Sequence, residues 1–202
     1  MKKLPSRKAT RLFALAFAVL FSLSTVRGAA AVGVSNGEFF FKWGCSLMGW
    51  QTTGTVALVD AGAEGLPFGD ECAAKVTAAN GNYYGVTTST LRQTVTVPAL
   101  NASEYYLLFD SWVRSSDPGS IWQQQTVNLY DAQNNLIYTK TKNSNSVIML
   151  GVFKYNVAPY ANQQLTLEVK VTNSAPNGSA SVYLDDVAIG IDGRDGRMGW
   201  GW

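Results

Sequence analysis

Segment after segment of this 202-residue chain places an apolar residue at every second position. That period is the signature of a strand with one face buried. In Leu91-Arg92-Gln93-Thr94-Val95-Thr96-Val97 the odd positions share one face and the arginine and threonines share the other. Pro98 ends the run, because proline cannot donate to a ladder. Residues 104–114 form the longest such run. Tyr105, Leu107, Phe109, Ser111 and Val113 lie on one side; Tyr106, Leu108, Asp110, Trp112 and Arg114 lie on the other. Leu165, Leu167, Val169 and Val171 alternate in the same way. Further strands are expected at 54–59, 72–78, 126–131, 136–141 and 147–157. Asn134-Asn135 turns a central hairpin, and one helical turn is expected near Ala158-Pro159. After the first 31 residues, no run of about 12 keeps a helical period. Eight to ten short strands joined by turn residues imply an antiparallel β-sandwich.

The last expected strand, Ser181-Val182-Tyr183-Leu184-Asp185-Asp186-Val187-Ala188-Ile189, changes phase. Val182 and Leu184 are even-numbered, whereas Val187 and Ile189 are odd. Strict alternation cannot send all four into one core. A β-bulge at Asp185-Asp186 does so, and it re-aims two carboxylates.

The first 31 residues read as an export signal. Lys2, Lys3, Arg7, Lys8 and Arg11 form a basic start, residues 12–26 an apolar stretch, and Ala29-Ala30-Ala31 a cleavage site before Val32. The apolar stretch is shorter than the roughly 20 residues of a spanning helix, so no transmembrane span is expected after cleavage. Removing 31 of the 202 residues leaves 171, enough for one domain with a sizeable core. Of the 16 Lys and Arg, six lie in the signal with no acidic residue. The remainder carries 10 basic and 14 acidic groups, net −4. That balance lacks the electrostatic footprint of a nucleic-acid-binding protein. Three segments follow: a signal at 1–31, a sandwich at 32–191 and a glycine-rich, aperiodic tail at 192–202. The chain is expected outside the cytoplasm: secreted, periplasmic or on the cell surface. Cys45 and Cys72 are then expected to pair, closing a loop of 28 residues. Two buried free thiols are the alternative.

Near the start sit Asn36-Gly37-Glu38-Phe39-Phe40 and, soon after, Gly49-Trp50; near the end sits Tyr183-Leu184-Asp185-Asp186-Val187. These bookends suggest that the first and last strands meet. In that order, and with 91–98 and 127–137 between them, they resemble the galactose-binding-like β-sandwich used by bacterial carbohydrate-binding modules. The likeness covers about residues 33–191. It implies a jelly-roll sandwich, a packing role for Trp50, and a structural calcium that ties the first strand to the last. Asp185 matches one calcium ligand of that family. The usual glutamate after the phenylalanine does not match, because Phe40 follows Phe39 and Glu38 comes too early. Calcium takes about six to eight oxygens, so the departure weakens the implied site. The alternative is that Asp185 and Asp186 bond turn backbone at the bulge.

Sugar recognition needs flat rings that stack on C–H faces and polar groups that bond hydroxyls. Asp110, Trp112 and Arg114 share one face of one strand and supply both. Asn128 and Tyr130 on the neighbouring hairpin are expected to join them, register permitting. The alternative is that Trp112 caps the core edge while Asp110 and Arg114 pair as surface charges. Loops offer a second aromatic set: Trp43, Tyr83, Tyr84 and Trp122, with Tyr84 or its neighbour exposed. The chain has no histidine, so histidine-based nucleophile dyads are impossible. Two carboxylates suffice for glycoside hydrolysis, but no pair is marked by its spacing. The sequence therefore reads as a secreted, non-catalytic glycan-binding protein. A structural or adhesive scaffold using the same sandwich is the alternative.

Overall fold

The computed structural model describes residues 34–190 apart from 36, 42–43, 67–71, 80–84, 100–104, 117–121 and 144–148, and apart from the side chains of 40–41 and 149–152. The expected signal at 1–31, the tail at 192–202, and Trp43, Tyr83 and Tyr84 lie outside the described residues.

Every β-ladder among the described residues is antiparallel. Strands β1 (Phe40–Phe41) and β2 (Gly44–Cys45) pair as a small ribbon. A five-stranded sheet follows the order β10-β7-β12-β5-β4. It comprises β4 (Thr55–Asp60), β5 (Cys72–Ala78), β7 (Tyr106–Ser115), β10 (Met149–Asn156) and β12 (Ala180–Gly190). A second follows the order β3-β6-β11-β8-β9. It comprises β3 (Gln51–Thr53), β6 (Thr87–Thr96), β8 (Gln123–Tyr130), β9 (Leu136–Asn143) and β11 (Gln164–Asn173). The expected helical turn is a short 3₁₀ helix, Ala158–Tyr160, with proline in its first turn.

The two sheets pack face to face, and the alternating apolar positions meet between them. Leu107, Phe109 and Val113 of β7 enter one core with Leu91, Val95, Leu165, Leu167, Val169 and Leu129 from the opposite sheet. The rings of Phe109 and Phe153 stack at 4.5 Å, which adds directional contact to area burial. Gln93 occupies a core position because its amide is satisfied there. It donates to Ser35 O (2.6 Å) and Gly49 O (3.2 Å), and its oxygen accepts from Ser35 N. A buried amide is tolerated when its groups are bonded, so this residue clips the N-terminal segment and the Gly49 turn to β6.

The phase change in β12 is a bulge. Pairing with β7 runs Asp185↔Asp110 and resumes at Ala188↔Leu108. Asp186 adopts φ 53°, and the extra residue lets Val182, Leu184, Val187 and Ile189 all reach the core. The bookends also meet, though not strand to strand. Ribbon β1 pairs with β2, while the segment before it reaches β12 through a backbone bond from Val187 N to Gly37 O (3.1 Å). Trp50 is buried against Phe39, as the resemblance implied. Cys45 and Cys72 form a disulfide, tying the ribbon to the start of β5.

Candidate functional site

The outward face of the first sheet carries Asp110, Trp112 and Arg114, as alternation along β7 requires. It is not an open groove. The turn after β4 folds back over it, held by Asp60 Oδ1 accepting from Ala63 N (2.9 Å). Ala61 and Leu66 from this segment pack with Ala73 and Tyr183 into a second apolar cluster, and Trp112 packs against that cluster. The Trp112 Nε1 atom is buried without a hydrogen-bond partner among the described residues.

Glu64 pins the segment in place. Its carboxylate accepts from Lys75 Nζ (3.0 Å), Arg114 Nη1 (3.2 Å) and Tyr183 Oη (3.1 Å). The Lys75 bond, with help from Tyr183 and Arg114, holds the Glu64 carboxyl below its ordinary value against the opposing pull of partial burial. Both cations also stand over the Tyr183 ring, at 5.1 and 5.4 Å. Arg114 therefore pairs with Glu64 rather than with Asp110. Glu64 escaped sequence reasoning because it lies in a loop with no period to mark it.

Asp110 faces another carboxylate. Asp185 is its register partner and is fully buried, with Oδ1 accepting from Asp186 N (2.8 Å). Burial raises the Asp110 carboxyl above its ordinary value. The folded state thus holds this proton more tightly than the unfolded chain. The group's contribution to stability is complete below the unfolded value near 3.9 and is lost as pH rises through the folded value. Asp110→Asn keeps the shape, removes the buried charge and offers Asp185 a donor. Its thermal midpoint should exceed that of the parent at pH 7, and the gap should close towards pH 3.5. An equal gap at both pH values would remove Asp110 as its source.

This carboxylate pair also bears on calcium. Among the described residues no three acidic or cysteine side chains converge on a metal position. Glu38 is exposed, so the match to the implied ligand set stops at Asp185. Of the about six to eight oxygens calcium takes, Asp185 and its register partner Asp110 would supply only part, and backbone carbonyls would have to supply the rest.

Asn128 and Tyr130 do not join Trp112. Strand β8 belongs to the second sheet, so the expected five-residue groove divides between opposite outer faces. Their own face is a polar array. Register across β3, β6, β11, β8 and β9 aligns Gln51, Arg92, Glu168, Asn128 and Thr139 in one row. The next row aligns Thr53, Thr90, Lys170, Thr126 and Thr141. Hydroxyl pairs cross the strands at Thr53–Thr90 (2.7 Å), Thr94–Thr166 (3.0 Å) and Thr126–Thr141 (3.1 Å).

Asn128 organises this face rather than presenting itself on it. It is buried, donates to Glu168 Oε1 (2.9 Å) and Tyr130 Oη (3.2 Å), and accepts from Thr139 Oγ1 (2.8 Å). Tyr130 Oη donates to the same Glu168 oxygen (3.1 Å). Partial burial, then the adjacent Glu168 charge, raise the phenol above its ordinary value. Arg92 lies 5.1 Å from the centre of the Tyr130 ring and reaches Asn134 Oδ1 (2.7 Å).

The same parity on β8 continues upstream through Thr126 and Gln124 to Trp122, which stands at the head of the strand and is 58% exposed. Its carbonyl accepts from Ser174 N (3.0 Å), which extends the ladder by one position beyond Asn173↔Gln123. Tyr130 lies eight positions along the chain from Trp122, about 26 Å at strand rise. The two aromatic residues thus flank a strip of amide, hydroxyl and charged groups. Counting back in twos from Tyr130 reaches Trp122 in the sequence, but the expected strand start at Thr126 hid the relation.

Neither a protein-family model nor a curated protein sequence matches the chain. Solved structures do. The structure of the carbohydrate-binding module TmCBM61 in complex with β-1,4-galactotriose is 14% identical, with 79% of this chain and 97% of that one covered at a TM-score of 0.50. A carbohydrate-binding module, CBM28, specific for non-crystalline cellulose, is 12% identical over 72% of this chain and 88% of its own, at a TM-score of 0.47. With two antiparallel sheets, a bulged last strand and this likeness, the chain has the galactose-binding-like β-sandwich fold seen in carbohydrate-binding modules.

Proposed function

We propose that this is a secreted, non-catalytic glycan-binding protein whose ligand lies along β8 on the outer face of the second sheet. The observation that carries the reading is the strip from Trp122 to Tyr130. It offers an aromatic residue near each end and bonded polar groups between, which is what a chain of sugars requires. The fold likeness supports the class, and the expected export signal and the disulfide support secretion.

The mechanism is non-covalent. Trp122 and Tyr130 stack on sugar faces, Glu168 and Arg92 bond hydroxyls, and Asn128 positions Glu168 and Tyr130. Glycoside hydrolysis needs two carboxylates across the bond. Among the described residues of this face Glu168 stands without a second one, since Asp131 is engaged by Asn135 and Gln133 in the turn after β8. Such open sites bind with micromolar to millimolar affinity, about 4 to 8 kcal/mol.

A glycan array followed by calorimetry on the best ligand tests this. Trp122→Ala and Tyr130→Ala should each weaken binding about tenfold, the usual scale for an aromatic anchor. Trp112→Phe, on the opposite outer face, should leave affinity unchanged. A folded protein that binds no glycan would favour a structural or adhesive scaffold. Loss of binding in the Trp112 variant alone would move the site to the first sheet.

A further inference from the structure

Among the described residues, the sandwich is not filled along the side where β9 and β10 form the sheet edges. A cavity of about 60 Å³ lies between the sheets there, floored by Phe109, Phe153, Val127, Val169 and Val182. Its origin is in the sequence. Ser111 faces Gly151 in register, so two adjacent positions on β7 and β10 carry almost no side-chain volume. Lys140 and Lys142 line the same cavity. They pair with Val127 and Gln125, which puts them on the core-facing side of β9, and both are exposed. Neither makes an ion pair with a described residue.

Two ammonium groups two residues apart on one side of a strand repel each other and attract an anion. The space behind them is apolar and narrow. An engineered cavity of about 150 Å³ holds benzene, so a volume near 60 Å³ excludes a ring but admits an unbranched alkyl tail of about three carbons. We propose that this cavity binds a straight-chain carboxylate, its tail between Phe109, Phe153 and the valines and its carboxylate held by Lys140 and Lys142. The site is independent of the glycan face, which lies on the outer side of the same sheet.

Butanoate is the probe, titrated into the purified protein and followed by the methyl NMR signals of Val127, Val169 and Val182. Butanoate should shift those methyls to saturation, and butanol and butylammonium should bind at least about tenfold more weakly. The double variant Lys140→Gln/Lys142→Gln, changed only at exposed positions, should melt like the parent and lose about tenfold in butanoate affinity. Ser111→Leu, which fills the space and leaves the lysines, should abolish binding. The proposal is overturned if butanoate shifts none of these methyls, if it shifts other methyls instead, or if the glutamine variant or butanol matches the parent with butanoate.

Discussion

Replacing both Cys45 and Cys72 by alanine is expected to lower the unfolding free energy by about 3.5 kcal/mol, the chain-entropy value for a loop of this length. The structure gives a reason for an effect of full size. The disulfide links β2, a two-residue strand, to the first residue of β5. Ribbon β1–β2 has only two ladder pairs, and an isolated two-stranded ribbon is marginal in water. Around it hang Phe39 and Trp50, both buried in the main core. Without the bond, the ribbon depends on those two rings, the Gln93 clip and the backbone bond from Val187 N to Gly37 O. In urea, with a slope of about 2 kcal/mol per molar, the midpoint should fall by nearly 2 M. A midpoint within about 0.3 M of the parent would show that the ribbon is held without the bond.

Gly37→Ala is expected to destabilise by about 3 kcal/mol, at the upper end of overpacking substitutions. A Cβ at Gly37 would lie 1.8 Å from the carbonyl oxygen of Val187 and 2.8 Å from its carbon. Both atoms are backbone of β12, a central strand, and neither can swing aside. Val187 follows the bulge and donates to Gly37 O, so relieving the clash breaks that bond and displaces the strand where its register changes. Hydrogen exchange offers the local reading. The Val187 amide should lose protection in the variant, while amides of the β8–β9 hairpin keep theirs. Unchanged protection at Val187 would mean that the two chain ends are not coupled there.

Much of the sandwich was legible before any coordinates. Strand β5 begins and ends where its sequence run does, and the hairpin turns at Asn134, in the left-handed region at φ 64°. The bulge followed from the parity of four apolar residues. These are local properties: alternation, turn chemistry and phase are each set within a few residues. The candidate site was legible only in pieces. Asp110, Trp112 and Arg114 do share a face, but the turn that covers them is held by Glu64, which has no periodic neighbour to announce it. Asn128 was visible as an outward polar group, yet its burial comes from Glu168, Tyr130 and Thr139 on three strands.

Alternation, parity and turn residues therefore determined that this chain makes antiparallel strands, which side chains face inward, and where the last strand bends. Only the tertiary structure decided which sheet each strand joins. Strands β7 and β8 are consecutive in the chain, and alternation assigns each of them an outer face, but period two says nothing about which neighbour completes the ladder. The connection between them crosses from one sheet to the other. That single crossing separated Trp112 from Tyr130, left Trp122 in line with Tyr130, and set Lys140 and Lys142 at the mouth of an unfilled core.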